Sequence, residues 1–557
     1  AIELAAAWTR LLPAAALAER LATHLMDLGG GPRDLPARQQ TLRDTIAWSY
    51  NLLDAEERAL FARLSVFAGG WTIEAAEAVA RPDYPDVFTG LGRLIDRSLI
   101  HRLSSAGDTP RFGMLETIRA YAQEQLRQSG AKEAIELRHT RYHVSLAAQA
   151  REMLEGPDNA LWLTRLAAEH ANLRVVLDRA IESSDPATGL QLATALWGYW
   201  AQRGHLTEAR STLERTLALD GLVAPAVRAS AIHCLGNFAL DLSDIAGARQ
   251  AFTDYLTLAV DMANQDAIAT AHNGLGIVER EVGAYHLARD HFVAALGIWT
   301  QLDDASGVAL AHHNLGLVAS AEGDLERAAS HLQTALASRQ RLGHDNGAAN
   351  TLKALAVVAR LRGDSATATT LTAESLNLFV RLGDRQGEAR VRADQALLAA
   401  TLGDDLEALR RYRCALEMCQ DLAITDTLVK CIEGVGTVMV RRGFLEQGVR
   451  LLAALAPLHG TVVTALTLAE RQEQEQTLAL ARRTLTITAF DQAWAAGGAL
   501  SLEAAATEAL LLSDESRTIT RSAAPFNLTR REQEVLALLC QHLTDGEIAA
   551  RLFLSSR

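Results

Sequence analysis

Residues 275–295 have the sequence LGIVEREVGAYHLARDHFVAA, and residues 315–335 have LGLVASAEGDLERAASHLQTA, so small and apolar residues return after 40 positions. The same step of 40 continues from residue 229 to about residue 455. One column of small residues is Gly236, Gly276, Gly316, Ala356, Ala396 and Gly436. Another column, 12 positions later, is Ala248, Ala288, Ala328, Ala368, Ala408 and Gly448. Small residues on both segments of a unit would let two helix backbones approach closely.

Each unit of 40 residues is predicted to form two helices joined by a turn. Phe292 and Ala295 follow Ala288 at steps of four and seven, which places one apolar stripe on a helix. Between the helices, Gly323 suits the left-handed residue that ends the first one, and Asp324 suits the cap of the second. A closed bundle would not require such columns to stay in register over six units. The pattern therefore predicts an all-α protein built around an α-solenoid.

The spacing of Leu275-Gly276, Ala288, Phe292 and Ala295 resembles the tetratricopeptide repeat, whose signature is Leu-Gly, Ala, aromatic, Ala. The unit of 40 departs from the usual length of about 34 residues, and the family's Pro at the end of the second helix is absent. The resemblance implies a concave face, lined by the first helices, that binds partners. A polar, partly basic set of residues is expected on this face, where it would hold a peptide or an anionic small molecule or else form a solvated surface. The residues are Thr270, Asn273, Arg280, His313, Asn350, Lys353, Arg360 and Arg390.

Composition limits the class of protein. A chain of 557 residues implies several domains, and a net charge of −13 provides no global basic field for nucleic acid. The five cysteines form no CxxC pair, which is typical of buried thiols in a reducing compartment. No apolar run is long enough to span a bilayer. We therefore expect a cytoplasmic protein without a membrane segment.

Residues 32–130 combine helices with one predicted hairpin, formed by residues 99–103 and 111–115, which favours a winged helix. The runs DLPARQQTLR at 34–43 and LSVFAGG at 64–70 resemble the winged-helix module that follows the nucleotide-binding domain in NB-ARC-type signalling ATPases of bacterial regulators. Residues 1–31 resemble the tail of the helical region of that ATPase module. The resemblance implies an ATPase core upstream of residue 1, and with it ATP or ADP as the cofactor of the whole protein.

The chain itself has no GxxxxGK[ST] loop, so we expect neither a catalytic site nor a bound cofactor in these residues. In the resembled family a Met-His-Asp triplet senses ADP, and the matching residues here are Met114-Leu115-Glu116. Leu115 cannot donate a hydrogen bond to phosphate. Two interpretations remain open: these residues only pack the wing, or Arg111 or Arg119 makes a modified nucleotide contact.

Residues 526–557 contain a capping box from Thr529 to Glu532 and strongly resemble a LuxR-type helix-turn-helix. That resemblance implies promoter DNA as a partner, with these candidate contacts: Thr529, Arg530, Arg531, Thr544, Ser556 and Arg557. The recognition helix would begin at Ser556, one residue before the end. We therefore expect a truncated motif, in a chain cut at both ends, that makes no sequence-specific complex with promoter DNA.

The remaining segments are helical. Residues 131–228 are predicted as a connector with a degenerate first repeat, residues 229–460 as the repeats, and residues 461–525 as a helical segment followed by a linker. No HExxH motif is present, so the sequence predicts no metal site, although histidines occur at His272, His291, His312, His313, His331 and His344.

Together these patterns predict part of an ATP-dependent bacterial transcription regulator. Its repeats would bind an inducer or a protein partner, its helix-turn-helix would bind promoter DNA, and the protein could form a homo-oligomer on activation. The alternative is a tetratricopeptide signalling scaffold that recruits protein partners.

Overall fold

The computed structural model describes residues 42–103, 109–154, 158–422, 424–458 and 468–513. It forms two compact units, one of residues 42–391 and the other of residues 392–457 and 470–513, apart from the gaps. The predictions for residues 1–31 and for the helix-turn-helix at 526–557 lie outside the described residues. Within them the all-α class, the repeat solenoid and the amino-terminal winged helix with a small sheet are confirmed.

The winged helix opens the first unit. Its second helix begins at Asp54, whose Oδ1 accepts the Glu57 backbone N–H at 2.8 Å, while the Asp54 N–H donates to Glu57 Oε2 at 3.0 Å. This capping box satisfies two backbone donors at the helix start. The elements are α1 (Leu42–Asn51), α2 (Ala55–Leu64), β1 (Trp71–Thr72), α3 (Ile73–Ala80), α4 (Val87–Asp96), β2 (His101–Leu103), β3 (Arg111–Gly113) and α5 (Glu116–Gln128).

The sheet has three antiparallel strands in the order β1-β3-β2. Strands β2 and β3 form the predicted hairpin, in which Arg102 pairs with Phe112. The two-residue strand β1 was not predicted, and its Trp71 pairs with Phe112 from the other side. Trp71 is fully buried and stacks on Phe67 at 5.5 Å, so β1 anchors the wing to the helical core.

A helical connector follows in the same unit. Its core contains the fully buried Tyr199 and Trp200 together with Leu173 and Leu213. Gly204, with φ of 76°, makes the turn between two short helices, as the glycines do in the later repeats. The connector helices are α6 (Lys132–Met153), α7 (Asn159–Glu182), α8 (Pro186–Ala195), α9 (Trp197–Arg203) and α10 (Leu206–Leu217).

The repeats of the first unit stack as helical hairpins, because each helix packs on its neighbours in sequence. At the turn of one hairpin, Gly323 has φ of 85° and Asp324 Oδ1 accepts the Arg327 N–H at 3.1 Å. The helices are α11 (Pro225–Asp241), α12 (Ile245–Asp261), α13 (Gln265–Glu281), α14 (Tyr285–Gln301), α15 (Ala305–Glu322), α16 (Leu325–Leu342), α17 (Asp345–Leu361) and α18 (Ser365–Leu382). Helix α19 (Arg385–Thr401) runs across the division between the units.

The small-residue column lies beneath the large side chain of its own hairpin. A Cβ added to Gly276 would stand 2.6 Å from Cε1 of the fully buried Phe292, and one on Gly316 would stand 2.6 Å from Cγ of Leu332. Such distances are below van der Waals contact, so in these two hairpins the large side chain fits because glycine lies opposite, although the unit that has Ala396 in the column also buries a large residue, Tyr412. In the unit where the column holds Ala356, the residue at the ring position is the smaller Thr372.

The second unit packs its own set of helices. Gly497 lies so close to the helix of residues Leu445–Leu455 that an added Cβ would be 2.2 Å from the Arg450 carbonyl oxygen. Arg450 also pairs with Glu508 at 2.8 Å. Its helices are α20 (Asp405–Leu422), α21 (Thr425–Arg441), α22 (Leu445–Leu455), α23 (Leu468–Thr484), α24 (Ile487–Gly498) and α25 (Leu502–Leu512).

Among all the helices described, none combines the length and the apolar character that crossing a bilayer requires.

Candidate functional sites

Helix α7 presents two polar residues to the winged helix, and Glu169 is the first. The Arg111 guanidinium, from β3, donates through Nη1 to Glu169 and through Nη2 to the Ala168 carbonyl at 2.8 Å. Both charged side chains are buried. Arg111, predicted as a possible nucleotide contact, is therefore enclosed within the fold and engaged by a carboxylate.

Asn172, one helical turn further on α7, binds the chain that leads from α2 to β1. Its Oδ1 accepts the Ala68 N–H at 2.6 Å, and its Nδ2 donates to the Gly70 carbonyl at 2.9 Å and to Glu169 Oε2 at 2.6 Å. Gly69 has φ of 74°, and a Cβ on it would stand 2.9 Å from the Cβ of Ala171. This close approach requires glycine at the contact.

His143, on α6, completes this group, and its Nε2 lies 3.4 Å from Glu169 Oε2. Burial opposes ionisation of Glu169, but the hydrogen bond from His143 and the charge of Arg111 outweigh it, so the pKa of Glu169 is lowered. We name Arg111, His143, Glu169 and Asn172 the junction cluster. It is buried and internally hydrogen-bonded, so its chemistry holds the winged helix on α7 rather than reacting with a substrate.

The other two residues of the predicted nucleotide position lie at the start of α5. Leu115 precedes the helix, is 59% exposed and makes no side-chain cap. Arg119 donates through Nε to Glu116 at 3.0 Å. Arg119 also lines a pocket of about 400 Å³ between α5, α6 and α7, whose other cations are Arg127, Lys132 and Arg179 and whose carboxylate is Glu136. Arg119 is already engaged by Glu116, and Lys132 and Arg179 lie 3.9 Å and 3.3 Å from Glu136, so most of these cations have a carboxylate partner.

The structure brings some predicted groove residues together around His313. Burial of its ring is the main cause that lowers the pKa of His313 to about 3. The positive charges of Arg339, Arg280 and Lys353 add to this lowering. Arg280 on α13 and Lys353 on α17 therefore lie close enough to the uncharged His313 on α15 for their charges to act on it, and Arg280 also pairs with Glu281 at 2.7 Å.

Other groove candidates are placed differently. Asn273 is buried and its Oδ1 accepts a hydrogen bond from Asn314 Nδ2 at 2.7 Å, so it joins two repeats inside the fold instead of facing a ligand, contrary to the groove prediction. Asn350 donates to the Asn346 carbonyl at 3.1 Å. Thr270, Arg360 and Arg390 are partly exposed.

Four of the six histidines noted in the sequence form two pairs that repeat with the solenoid. Nδ1 of His272 lies 3.0 Å from Nδ1 of His291, and the equivalent distance between His312 and His331 is 2.9 Å. Burial lowers the pKa of all four rings. Neither pair has a third His, Cys or carboxylate ligand close enough to complete a metal-binding group within the part of the chain that the structure describes.

A group of three that could hold a metal ion does occur in the connector, at His170, His205 and Glu208. No metal-binding motif in the sequence predicted a site at these residues. The His-x-x-Glu spacing of positions 205 and 208 is a weak signal that would have drawn attention to them.

Helix α4 occupies the position in the winged helix that would be used to read DNA, but its exposed face is not basic. Phe88 is 69% exposed and Ile95 is 38% exposed. The cation of this helix, Arg93, lies 3.3 Å from Glu57 and 3.6 Å from Asp54. The residues predicted to contact DNA all belong to 526–557, outside the described residues.

Comparison with known families supports the two recognisable parts of the chain. Residues 53–127 match the winged helix-turn-helix domain model. Residues 266–341 and 307–379 match the tetratricopeptide repeat model. Each model covers less than half of the chain.

Two relatives are similar in sequence over part of their length. A protein of Mycobacterium tuberculosis, whose name assigns it provisionally to the HTH-type transcriptional regulators, is 36% identical over 239 residues, which are 42% of this chain and 27% of that protein. An uncharacterized protein of the same organism is 34% identical over 146 residues, 26% of this chain and 37% of its own length. The match thus spans about a quarter to a third of these relatives.

Among solved structures, a signal transduction ATPase with numerous domains and a tetratricopeptide repeat sensor, from Pyrococcus horikoshii, has a TM-score of 0.41 at 13% identity over 89% of this chain and 74% of its own. A Rap protein complexed with competence and sporulation factor has a TM-score of 0.41 at 12% identity, and the match covers 64% of this chain and 99% of the Rap protein. The chain thus joins a winged helix-turn-helix domain to tetratricopeptide repeats and is similar to proteins named as transcriptional regulators.

Proposed function

We propose that this chain is the coupling and sensing part of an ATP-dependent, signal-responsive bacterial transcription regulator that acts in the cytoplasm. In this proposal an inducer or partner binds the repeats, and the helix-turn-helix of residues 526–557 binds promoter DNA. An ATPase module on the amino-terminal side supplies the nucleotide switch, with ATP or ADP as its cofactor. The chain described here binds and couples, and it carries out no catalysis itself.

The junction cluster is the observation that carries this proposal. It joins the winged helix to α7 through a buried ion pair and amide hydrogen bonds. Partly opening this contact would leave Glu169 or Arg111 buried without its partner, which is strongly unfavourable. The contact is therefore suited to two discrete states, closed or fully solvated, and a ligand that favours one of them can act as a switch.

The surface of α4 supports a coupling role for the winged helix. A DNA-reading helix needs cations for phosphates and polar side chains for base edges. Exposed Phe88 and Ile95, with Arg93 beside two carboxylates, provide neither. In the proposal DNA contact is therefore assigned to the separate module at 526–557.

The test uses the full-length regulator and its promoter, with ATP and ADP as the probes. We expect promoter affinity to differ between the two nucleotides by about 5- to 150-fold, the usual range of allosteric coupling. Glu169→Gln should reduce that ratio towards one, because it removes the charge that holds Arg111. Glu322→Gln, which removes a surface pair with Arg289 at 3.1 Å, is the matched control and should leave the ratio unchanged. A Glu169→Gln protein that responds like wild type would contradict the proposal.

Arg280 and Lys353, which are partly exposed and whose positive charges lie near His313, favour one alternative, a scaffold whose repeats recruit an acidic protein segment. The scaffold would be favoured if an acidic peptide binds the chain, if Lys353→Ala abolishes this binding, and if the bound peptide leaves promoter affinity unchanged. Coupling of the same peptide to promoter affinity would favour the regulator. Light scattering with each nucleotide would test the proposed homo-oligomer on activation.

A further inference from the structure

Three potential metal ligands meet between α7 and α10. His170 lies on α7, His205 immediately precedes α10, and Glu208 lies in the first turn of α10. One ligand atom from each residue lies within 4.8 Å of the others. His170 Nε2 is 3.3 Å from Glu208 Oε2, and the two imidazole rings are 4.7 Å apart.

His205 occupies a position where several later repeats use a helix cap. Asp244 and Asp324, at the same place before α12 and α16, each accept a backbone N–H with their carboxylates. His205 makes no side-chain cap. Its ring instead stacks on His170, with 19° between the ring planes. The residue thus makes no cap hydrogen bond and places one ring nitrogen within 4.8 Å of the other two ligand atoms.

Tyr199 orients the His170 ring from behind. Its Oη lies 3.3 Å from His170 Nδ1. At this distance the phenol oxygen can accept a hydrogen bond from Nδ1–H. With the proton on Nδ1, the lone pair of Nε2 points to the Glu208 side. Metal-binding histidines usually have such a hydrogen bond on the other ring nitrogen.

We propose that His170, His205 and Glu208 bind one divalent transition-metal ion, with Zn²⁺ as the preferred ion. Two imidazoles and one carboxylate are a ligand set that zinc accepts, with water in the fourth position. Ligand atoms around tetrahedral zinc lie roughly 3.3 Å apart at bond lengths of about 2.0 Å. His205 therefore has to turn and move inward, which its partly exposed position in a turn allows. Arg174 Nε, 3.3 Å from Glu208 Oε1, leaves Oε2 for the metal.

The position of the site gives the metal a route to the winged helix. His170 is adjacent in sequence to Glu169 of the junction cluster, and both lie on α7. A metal bound to His170 and to α10 would fix α7 relative to the following hairpin. The binding site itself does not depend on the proposed regulatory function, and binding can be measured without DNA or nucleotide.

The experiment titrates the chelator-treated chain with Zn²⁺ by calorimetry and with Co²⁺ by visible absorption. We expect one equivalent of Zn²⁺ at micromolar affinity or tighter, and Co²⁺ bands of four-coordinate intensity. His205→Asn and Glu208→Gln should each weaken binding at least tenfold. Asn is a favoured cap residue, so His205→Asn removes the ligand without weakening the start of α10. His272→Ala, which removes one ring of a histidine pair, should leave the affinity unchanged.

The variant Arg174→Ala distinguishes a metal-binding site from a cluster of side chains that only form hydrogen bonds with one another. Removing a competing cation next to Glu208 should tighten Zn²⁺ binding several-fold. The proposal is overturned if Zn²⁺ binding is not saturable. It is also overturned if binding survives both His205→Asn and Glu208→Gln but is lost in His272→Ala, which would place the metal at the histidine pair.

Discussion

The junction cluster and the interior of the repeats are both buried, but opposite kinds of side chains hold them together. At the junction, Arg111, Glu169 and Asn172 exchange charged and amide hydrogen bonds. In the repeats, glycine and alanine columns lie against rings such as Phe292. The first contact depends on a few directional bonds, and the second on the fit of many apolar surfaces.

This difference predicts that substitutions in the two regions will have different effects on stability. In stacked repeats each unit touches mainly its neighbours, so the effect of a substitution stays local and adds to others. At the junction one lost group leaves several polar partners unsatisfied at once. The junction is therefore the place where a small change can separate two parts of the molecule, and four predictions test this contrast.

The largest effect is expected at Glu169. Glu169→Ala leaves Arg111 buried without a carboxylate and should lower the free energy of unfolding by about 3–5 kcal/mol. Urea unfolding followed by tryptophan fluorescence measures this value, since Trp71 lies beside the cluster. The double variant Arg111→Met/Glu169→Leu should be less destabilised than the single one, because no unpaired charge remains. A loss below about 0.5 kcal/mol, the range typical of surface changes, would refute a structural role for the pair.

Acidification should destabilise the fold through buried histidines. An unfolded histidine has a pKa of about 6.5, whereas burial lowers the pKa of these rings in the folded chain: His139, His170, His233, His272, His291, His312, His313 and His331. Below pH 6.5 the unfolded chain therefore binds more protons. Their contribution to stability is fully present above that pH and is lost as pH falls towards the folded pKa values.

His313, with a folded pKa of about 3, offers a direct check of that slope. Unfolding free energies measured between pH 7 and pH 4 should rise with pH by up to about 1.4 kcal/mol per unit for each such proton. His313→Asn should reduce the slope by as much as one proton. An unchanged slope would show that His313 titrates as it does in water.

In the repeats, Gly276→Ala should cost about 1–3 kcal/mol, because the new methyl group overlaps the ring of Phe292. Adding Phe292→Leu should recover part of that loss by making room. Gly297→Ala is the matched control on α14, since a Cβ there meets no atom within 4 Å, and it should stabilise the helix by up to about 1 kcal/mol. Equal effects at the two glycines would contradict the packing explanation.

The smallest effect is expected at the helix caps. Asp324→Ala removes the acceptor for the Arg327 N–H and should cost about 1 kcal/mol. Ala284 occupies the same position one repeat earlier and makes no side-chain cap. Ala284→Asp should therefore raise the melting temperature. If neither change moves it, cap chemistry does not contribute to these turns.

Local patterns were predictable from the sequence alone. The step of 40 located the repeat helices, and Gly323 and Asp324 located a turn and its cap. The alternation in residues 99–103 located one arm of the wing. Each of these features depends on interactions between residues only a few positions apart. Such interactions produce patterns that can be recognised in a single sequence.

The contacts between distant residues were decided by the tertiary structure. Arg111 meets Glu169 across 58 positions, and Asn172 reaches Gly70 across 102. His170, His205 and Glu208 come together only because α10 folds back beside α7, and β1 exists only because Phe112 offers it a partner. Helical periodicity fixes which face of each helix is apolar, but it does not determine which polar residue of one element meets a polar residue of another. That choice depends on how the packed elements are arranged in space.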